Sequence, residues 1–377
     1  MFTDEQKMIA EMARSFAQEK LAPGAAAREA AGEIELSIRE EMGQLGLLGM
    51  TVDPDWGGVG ADYLSYALAI IEIAAGDGAV STMMSVQNAP VNAILSTYGS
   101  DTQKERFLRP LAQGEFIGAF ALTEANAGSD ASAIRTRAIL EGDHYVINGS
   151  KQFITSGKIA GATILFAVTD PTAGKKGLSC FIVPNDTPGF EVANTEQKLG
   201  QRASDTSALS FTDMKVPIDL RIGDEGQGYG IALSSLETGR IGIAAQSVGM
   251  AQAAFDVAKQ YSFERESFGK PIFEHQAVSF RLADLETKLE AARQLTLNAA
   301  RMKDAGTPCL REACMAKLFA SEAAESICSG AMQTLGGYGY LADFPVERIY
   351  RDVRVCQIYE GTSDIQKLII AREMRRK

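Results

Sequence analysis

Thr163-Ile164-Leu165-Phe166-Ala167-Val168-Thr169 and Leu178-Ser179-Cys180-Phe181-Ile182-Val183-Pro184 are the stretches on which the fold turns. Each is a short apolar run rich in β-branched and aromatic residues and reads as a buried strand. Around them, from about residue 116 to 225, Val, Ile, Thr and Phe rise and glycine punctuates. Leu209 and Phe211 alternate with Ser210 and Thr212, the period of a half-buried strand. Gly142-Asp143 and Asn148-Gly149 are hairpin-type dipeptides flanking a short strand, His144 to Ile147. The region is expected to be a compact all-β unit, a small barrel or sandwich.

On both sides the period becomes helical. Upstream, Thr3 with Gln6 forms a capping-box pattern before Met8, Ile9, Met12, Ala13 and Phe16. Tyr63 to Ala75 and Ala89 to Tyr98 are helix formers, and Asp101 is expected to cap a segment through Leu111. Downstream, Val278, Leu282, Leu285 and Leu289 make a bundle stripe, and Gly306-Thr307-Pro308 parts that helix from Cys309 to Leu335. A last helix starts near Thr362 and ends in a basic tail, Arg372 to Lys377. The strands are thus segregated between helical regions. The fold class is α+β and multidomain: an N-terminal helical domain (1–115), a middle β domain (116–226) and a C-terminal helical bundle (227–377).

Composition narrows the function. The chain has 377 residues, 46% hydrophobic and 23% charged, which excludes disorder over most of its length. A net charge of −11 argues against a nucleic-acid partner. Only His144 and His275 are present, too few for a His-rich metal site, and no metal site is expected. The five cysteines, none spaced CxxC, read as reduced packing thiols of a cytoplasmic protein. The polar start MFTDEQK is expected to carry no signal peptide, and no run approaches a membrane span. There is no P-loop. Gly337-Tyr338-Gly339-Tyr340-Leu341-Ala342 spells GxGxxA but follows a helix, so it is no dinucleotide fingerprint. The sequons at Asn148 and Asn185 are expected to be turns.

Four segments carry chemistry. Phe120-Ala121-Leu122-Thr123-Glu124-Ala125-Asn126-Ala127-Gly128-Ser129-Asp130 runs from a strand into a loop of hydroxyl, amide and small residues. It is either a surface turn or a cradle for a ring or phosphate. In Lys151-Gln152-Phe153-Ile154-Thr155-Ser156-Gly157, Phe153 and Thr155 face one side of a strand. That suits a flat ring with one polar contact, or equally a core Phe beside a capping Thr. Arg265, within Tyr261 to Lys270, could grip a phosphate or belong to a solvated charge cluster. In Ile358-Tyr359-Glu360-Gly361-Thr362-Ser363-Asp364-Ile365-Gln366, Thr362 or Ser363 can cap the last helix. Glu360 is either a carboxylate in an apolar pocket, able to act as a base near neutral pH, or an exposed residue favourable to the helix dipole.

Taken together and in this order, the segments resemble the acyl-CoA dehydrogenase family nearly end to end. Phe120 to Ser129 resembles its flavin loop, Phe153-Ile154-Thr155 its W/F-I-T flavin-stacking strand, and Glu264-Arg265-x-x-Phe268-Gly269 with His275-Gln276 its second flavin segment. Gln333-Thr334-Leu335-Gly336-Gly337-Tyr338-Gly339-Tyr340 resembles the adenine-side loop, and Tyr359-Glu360-Gly361-Thr362-Ser363 the catalytic segment. The resemblance implies FAD as cofactor, contacted by Phe120, Leu122, Thr123, Gly128, Ser129, Phe153, Ile154, Thr155, Arg265, Phe268, Gln276, Gln333, Leu335, Gly336, Gly337, Thr362 and Asp364. It implies an acyl-CoA substrate touched by Ser129, Leu236, Glu237, Arg240, Tyr359 and Gly361. Glu237 falls where many members have Asp, and Phe153 where many have Trp.

The implied reaction removes the thioester α-proton to Glu360 and passes the β-hydrogen as hydride to flavin N5. The glutamate N–H and the flavin ribityl 2′-hydroxyl would stabilise the enolate. Some members carry the glutamate at the position of Gly239, which cannot be a base, so Glu360 fills the commoner position. The wording of 237–244 and 358–366 is most similar to short-chain (butyryl-type) and short branched-chain enzymes, which points to fatty-acid β-oxidation or branched-chain amino-acid catabolism. An electron-transfer flavoprotein is the implied acceptor. The implied assembly is a homotetramer, a dimer of dimers, in which Arg265, Gln276 and the 333–337 loop reach a neighbour's FAD. The alternatives are a relative with other flavin chemistry, an oxidase or desulfinase, and a scaffold without flavin.

Overall fold

A computed structural model describes residues 2–375. The N-terminal region is helical: α1 (Asp4–Phe16), α2 (Ala25–Ala31), α3 (Leu36–Gln44), α4 (Tyr63–Gly76), α5 (Gly78–Val86), α6 (Ala93–Tyr98), α7 (Asp101–Gln103) and α8 (Arg109–Gln113). The middle region holds β1 (Ile117–Ala121), β2 (Arg137–Glu141), β3 (His144–Thr155), β4 (Ala160–Val168), β5 (Leu178–Pro184), β6 (Phe190–Thr195), β7 (Thr206–Pro217) and β8 (Arg221–Ile222). The C-terminal region returns to helix with α9 (Gly228–Glu264), α10 (Gln276–Asp304), α11 (Leu310–Leu335), α12 (Val346–Val353) and α13 (Ser363–Glu373). Between α9 and α10 lies a small hairpin of β9 (Glu266–Ser267) and β10 (Lys270–Pro271). The helix–strand–helix order is the one expected. Arg376 and Lys377, the end of the expected basic tail, lie outside the described residues.

The strands form one sheet in the order β6-β7-β3-β2-β4-β5-β8, with β1 pairing β4 in parallel. β2 and β4 meet through one residue pair, Arg137 and Val168, so the sheet bends there into two halves. The halves share a core, in which Tyr145 of β3 meets Phe181 of β5 edge to face at 5.0 Å. The apolar runs that opened the sequence analysis become β4 and β5, paired antiparallel from Ala162–Pro184 to Val168–Leu178.

The cores cross the sequence divisions. One joins Ile70 and Ile73 of α4 to Ile241 and Val248 of α9 and Leu285 of α10, and the other joins Leu95 and Leu111 to the sheet. The α10 stripe is buried at Leu282, Leu285 and Leu289, with Val278 at its edge. α9 therefore lies between the N-terminal helices and the bundle, with most of its middle buried.

Three local expectations need correction. Asn148-Gly149 is not a turn: β3 runs unbroken from His144 to Thr155, with a bulge against β7 at Ile147/Gly149. A bulge absorbs the glycine that a hairpin would otherwise claim. The sequon at Asn148 is accordingly in a strand, whereas the one at Asn185 is in a turn. Asp101 is not the cap: the Ser100 hydroxyl accepts from Gln103 N–H and the Gln103 side chain accepts from Ser100 N–H, a capping box that leaves Asp101 in the first turn. The helix expected over Ala89 to Tyr98 is broken at Ala89 (φ −146°, ψ 103°), since Pro90 pushes the residue before it out of the α region.

Candidate active site

The catalytic candidate sits on a strained turn. Glu360 has φ 53° and Gly361 φ 89°, two successive left-handed residues before α13. A non-glycine residue there costs of order 1–3 kcal/mol and persists only where surrounding contacts fix it. Three hydrogen bonds supply those contacts. Buried Gln366 donates from Nε2 to the Glu360 carbonyl (3.1 Å) and the Gly361 carbonyl (2.8 Å), and Lys317 Nζ donates to the Gly361 carbonyl at 2.7 Å. Thr362 caps α13 by accepting from Ile365 N–H at 3.4 Å, one of the two caps expected.

The turn aims the Glu360 side chain at α9. A Cβ at Gly239 would fall 2.7 Å from the carboxyl carbon and 2.9 Å from Oε1, and closer still to Oε2. Only glycine leaves room for the carboxylate there. Glu360 as a residue is partly exposed, but Oε2 is closed off and has no hydrogen-bond partner among the described residues. Burial pushes the carboxyl up to about 7, while the charges of Arg240 and Lys317 pull the other way. Arg240 is itself buried, and its Nε has no hydrogen-bond partner among the described residues. Glu360 is thus not the exposed, dipole-stabilising residue that the sequence also allowed.

Further along the same face of α9, one and two turns on, come Gly242 and Gln246. A Cβ at Gly242 would lie 2.7 Å from Ser85 Oγ and 2.8 Å from the hydroxyl of the fully buried Tyr66. Gln246 Nε2 donates to the Gly78 carbonyl (3.0 Å) and Ser81 Oγ (2.8 Å), and Tyr359 donates its hydroxyl to Gln246 Oε1. A buried hydrogen-bonded layer closes this face of the helix about 10 Å from Gly239.

The two middle-domain segments also meet. Gln152 N–H donates to the Thr123 carbonyl (2.9 Å), and buried Lys151 donates to the Leu122 carbonyl (3.0 Å) and pairs with Glu124 (2.9 Å). Burial brings the Lys151 ammonium down to about 8, and Glu124 opposes that. Phe153 stands on this platform at φ 61° and is 61% exposed, with Ile154 buried and Thr155 partly exposed after it. The simple alternation expected here is interrupted: β3 bulges against β7 between Lys151 and Ile154, so the buried positions are three residues apart, and Phe153 is not a core residue. Leu122, Ile154 and Leu335 are core side chains, so only their backbone faces outward chemistry. Phe120 and Thr123 are partly exposed, Gly128 and Ser129 exposed.

A third group gathers around Arg265 and the loop after α11. Arg265 stacks over Tyr338 at 5.8 Å, and Phe268 (95% exposed) lies near His275. Gln276, Gln333, Gly336 and Gly337 are exposed beside them, as is Asp364 on α13. Leu236 and Glu237 lie one turn before Arg240, but Glu237 is engaged by Lys303 (3.6 Å) and Cys309 (3.7 Å). Sequence reasoning missed Lys317, Lys151 and Gln366. A signal existed for Lys317: it interrupts the buried Ala/Cys stripe of Ala313, Cys314, Ala320 and Ala324. Among the described residues, no cluster of His, Cys, Asp and Glu could hold a metal, and no helix is long and apolar enough to cross a membrane.

The chain was compared with known proteins. Residues 3–115, 119–214 and 226–375 match the profiles of the acyl-CoA dehydrogenase N-terminal, middle and C-terminal domains. It is 44% identical to the short-chain specific acyl-CoA dehydrogenase of Clostridium acetobutylicum, covering 98% of this chain and 97% of that one. It is 43% identical to the mitochondrial short/branched chain specific acyl-CoA dehydrogenase of Bos taurus, over 98% and 86%. The butyryl-CoA dehydrogenase of Megasphaera elsdenii superimposes with a TM-score of 0.98 at 41% identity, over 100% of this chain and 99% of that one.

Proposed function

Because this chain belongs to the acyl-CoA dehydrogenase family, we propose that it is an FAD-dependent enzyme converting a short acyl-CoA, straight or 2-methyl-branched, to the trans-2-enoyl-CoA, with Glu360 as the α-proton base. The observation that carries the assignment of the base is the Glu360 carboxylate seated over Gly239, shielded and raised to about 7.

The residues fit the cofactor. Phe153 offers an exposed aromatic face, Thr123 and Thr155 are partly exposed hydroxyl residues of the same two segments, and Ser363 Oγ is buried without a hydrogen-bond partner among the described residues at the start of α13, where a phosphate is favoured. Phe120, Leu122, Thr123, Gly128, Ser129, Phe153, Ile154, Thr155, Thr362 and Asp364 would hold FAD. When bound, FAD supplies the acceptor for the β-hydrogen. Ser129, Leu236, Glu237, Arg240, Tyr359 and Gly361 would hold the thioester.

Glu360 then takes the α-proton. A thioester α-proton is far too weakly acidic for a free carboxylate, so the developing enolate oxygen needs a fixed donor. The backbone N–H of Glu360, fixed by the left-handed turn, fills that role in this reading. Exclusion of water strengthens the contact and keeps the carboxyl basic near neutral pH. The Gln246 layer supports a short chain.

Arg265, Phe268, Gln276, Gln333, Leu335, Gly336 and Gly337 are read as contacts to the FAD of a second subunit, in a homotetramer built as a dimer of dimers. The exposure of Phe268, Phe280 (66%) and Tyr340 (82%) supports this. The three units are taken to divide at 115/116 and 226/227. The five free, buried cysteines support a reducing compartment, the cytoplasm. An electron-transfer flavoprotein is the proposed acceptor, in fatty-acid β-oxidation or branched-chain amino-acid catabolism. The test is anaerobic bleaching of the flavin absorbance by acyl-CoAs from propionyl to octanoyl, with isobutyryl and 2-methylbutyryl included.

A further inference from the structure

Lys317 is fully buried on α11, and it donates to a neutral group, the Gly361 carbonyl at 2.7 Å. A buried ammonium satisfied only by a carbonyl is costly, and a Leu or Met would pack in the same volume without that cost. The position is one residue from the carboxylate that the reaction uses. The same carbonyl also receives Gln366, so two donors from two helices converge on the peptide that follows Glu360.

We propose, resting on Glu360 as the base, that Lys317 is a positioning residue for it: the Lys317 ammonium locks the left-handed 360–361 turn through the Gly361 carbonyl and places a positive charge behind the carboxylate. Three groups face Glu360 electrostatically: Arg240 from α9, Lys317 from α11 and the Tyr66 hydroxyl from α4. Facing Lys317 are Cys356, Glu360, Arg240 and, on its own helix, Cys314. Glu360 is the carboxylate among them. Burial lowers the ammonium and raises the carboxyl, and each charge favours the ionised form of the other. A cation held behind the carboxylate favours its ionised form, and that form alone can accept the α-proton.

The test uses the FAD-loaded enzyme and the pH dependence of anaerobic flavin reduction by butyryl-CoA. Lys317→Met is expected to move the acid limb of the rate profile to higher pH by about one unit and to lower the plateau about ten-fold, with flavin content retained. Lys317→Arg keeps the charge and is expected to leave the limb near its wild-type position. If Lys317→Met does not fold, Lys317→Gln replaces it, keeping a donor without the charge, and the same upward shift is expected. A neutral variant that folds, binds FAD and shows an unmoved acid limb overturns the proposal. Glu360→Gln in the same series separates the two readings. If it abolishes reduction while the neutral Lys317 variants leave the limb unmoved, the positioning role alone fails. If it reduces at the wild-type rate, the base assignment fails and takes the Lys317 role with it.

Discussion

Glu360 and Gly239 occupy one space: a side chain at Gly239 would put its Cβ within 2.7 Å of the Glu360 carboxyl carbon. The Glu360 side chain comes from the turn before α13, and α9 gives way to it with a glycine. Gly239→Ala is therefore expected to displace the carboxylate and lower kcat/KM for butyryl-CoA about 100-fold, the effect of roughly 1 Å of misplacement. Steady-state kinetics with flavin content as control checks this. Unchanged kcat/KM would mean that Glu360 does not work from this position.

The pH dependence follows from the same burial. With its carboxyl raised to about 7 in the folded protein, Glu360 is protonated and idle below that value. The kcat/KM profile should rise through an acid limb near pH 7, and Glu360→Gln should remove the limb with the activity.

Stability runs in the opposite direction. The folded carboxyl binds its proton more tightly than the unfolded one, whose ordinary value is 4.5. The folded state is therefore favoured at low pH and loses about 3 kcal/mol from this group as pH rises from 4.5 through 7. Urea unfolding should find Glu360→Gln more stable than the wild type at pH 8 and equal to it near pH 4.

Chain length is set by Gln246 in this account. Gln246→Ala opens the layer that Gly78, Ser81 and Tyr359 close with it. It should raise kcat/KM for hexanoyl-CoA relative to butyryl-CoA by about ten-fold, since each buried methylene contributes about 0.8 kcal/mol. A scan over acyl-CoAs measures the ratio, and an unshifted preference would place the end of the pocket elsewhere.

Phe153 tests the cofactor platform. Phe153→Trp keeps an aromatic face and should retain FAD, whereas Phe153→Ala should weaken FAD binding about ten-fold, as loss of one stacking contact does. Fluorescence titration of the apoprotein reads both.

Much of this architecture is legible in the sequence. The strand runs 163–169 and 178–184, the α10 stripe and the Thr3–Gln6 box were readable because local period and capping chemistry decide them. Asn148-Gly149 misled because a dipeptide suited to a turn is equally suited to a bulge, and only pairing with β7 decides which. Glu360 could be singled out, but its burial could not be read: it depends on Gly239, far away in sequence, and on α11 closing behind it. Lys317 and Lys151 were passed over because a lysine in sequence looks like solvent-facing charge until its burial is known.

The most direct measurement is the rate of anaerobic flavin bleaching by butyryl-CoA for the wild type and for Glu360→Gln. The account predicts rapid bleaching by the wild type and a loss of at least about 10²–10⁴-fold in the variant, the contribution of a positioned general base. Bleaching that survives the substitution, in a variant that holds its flavin, would contradict it.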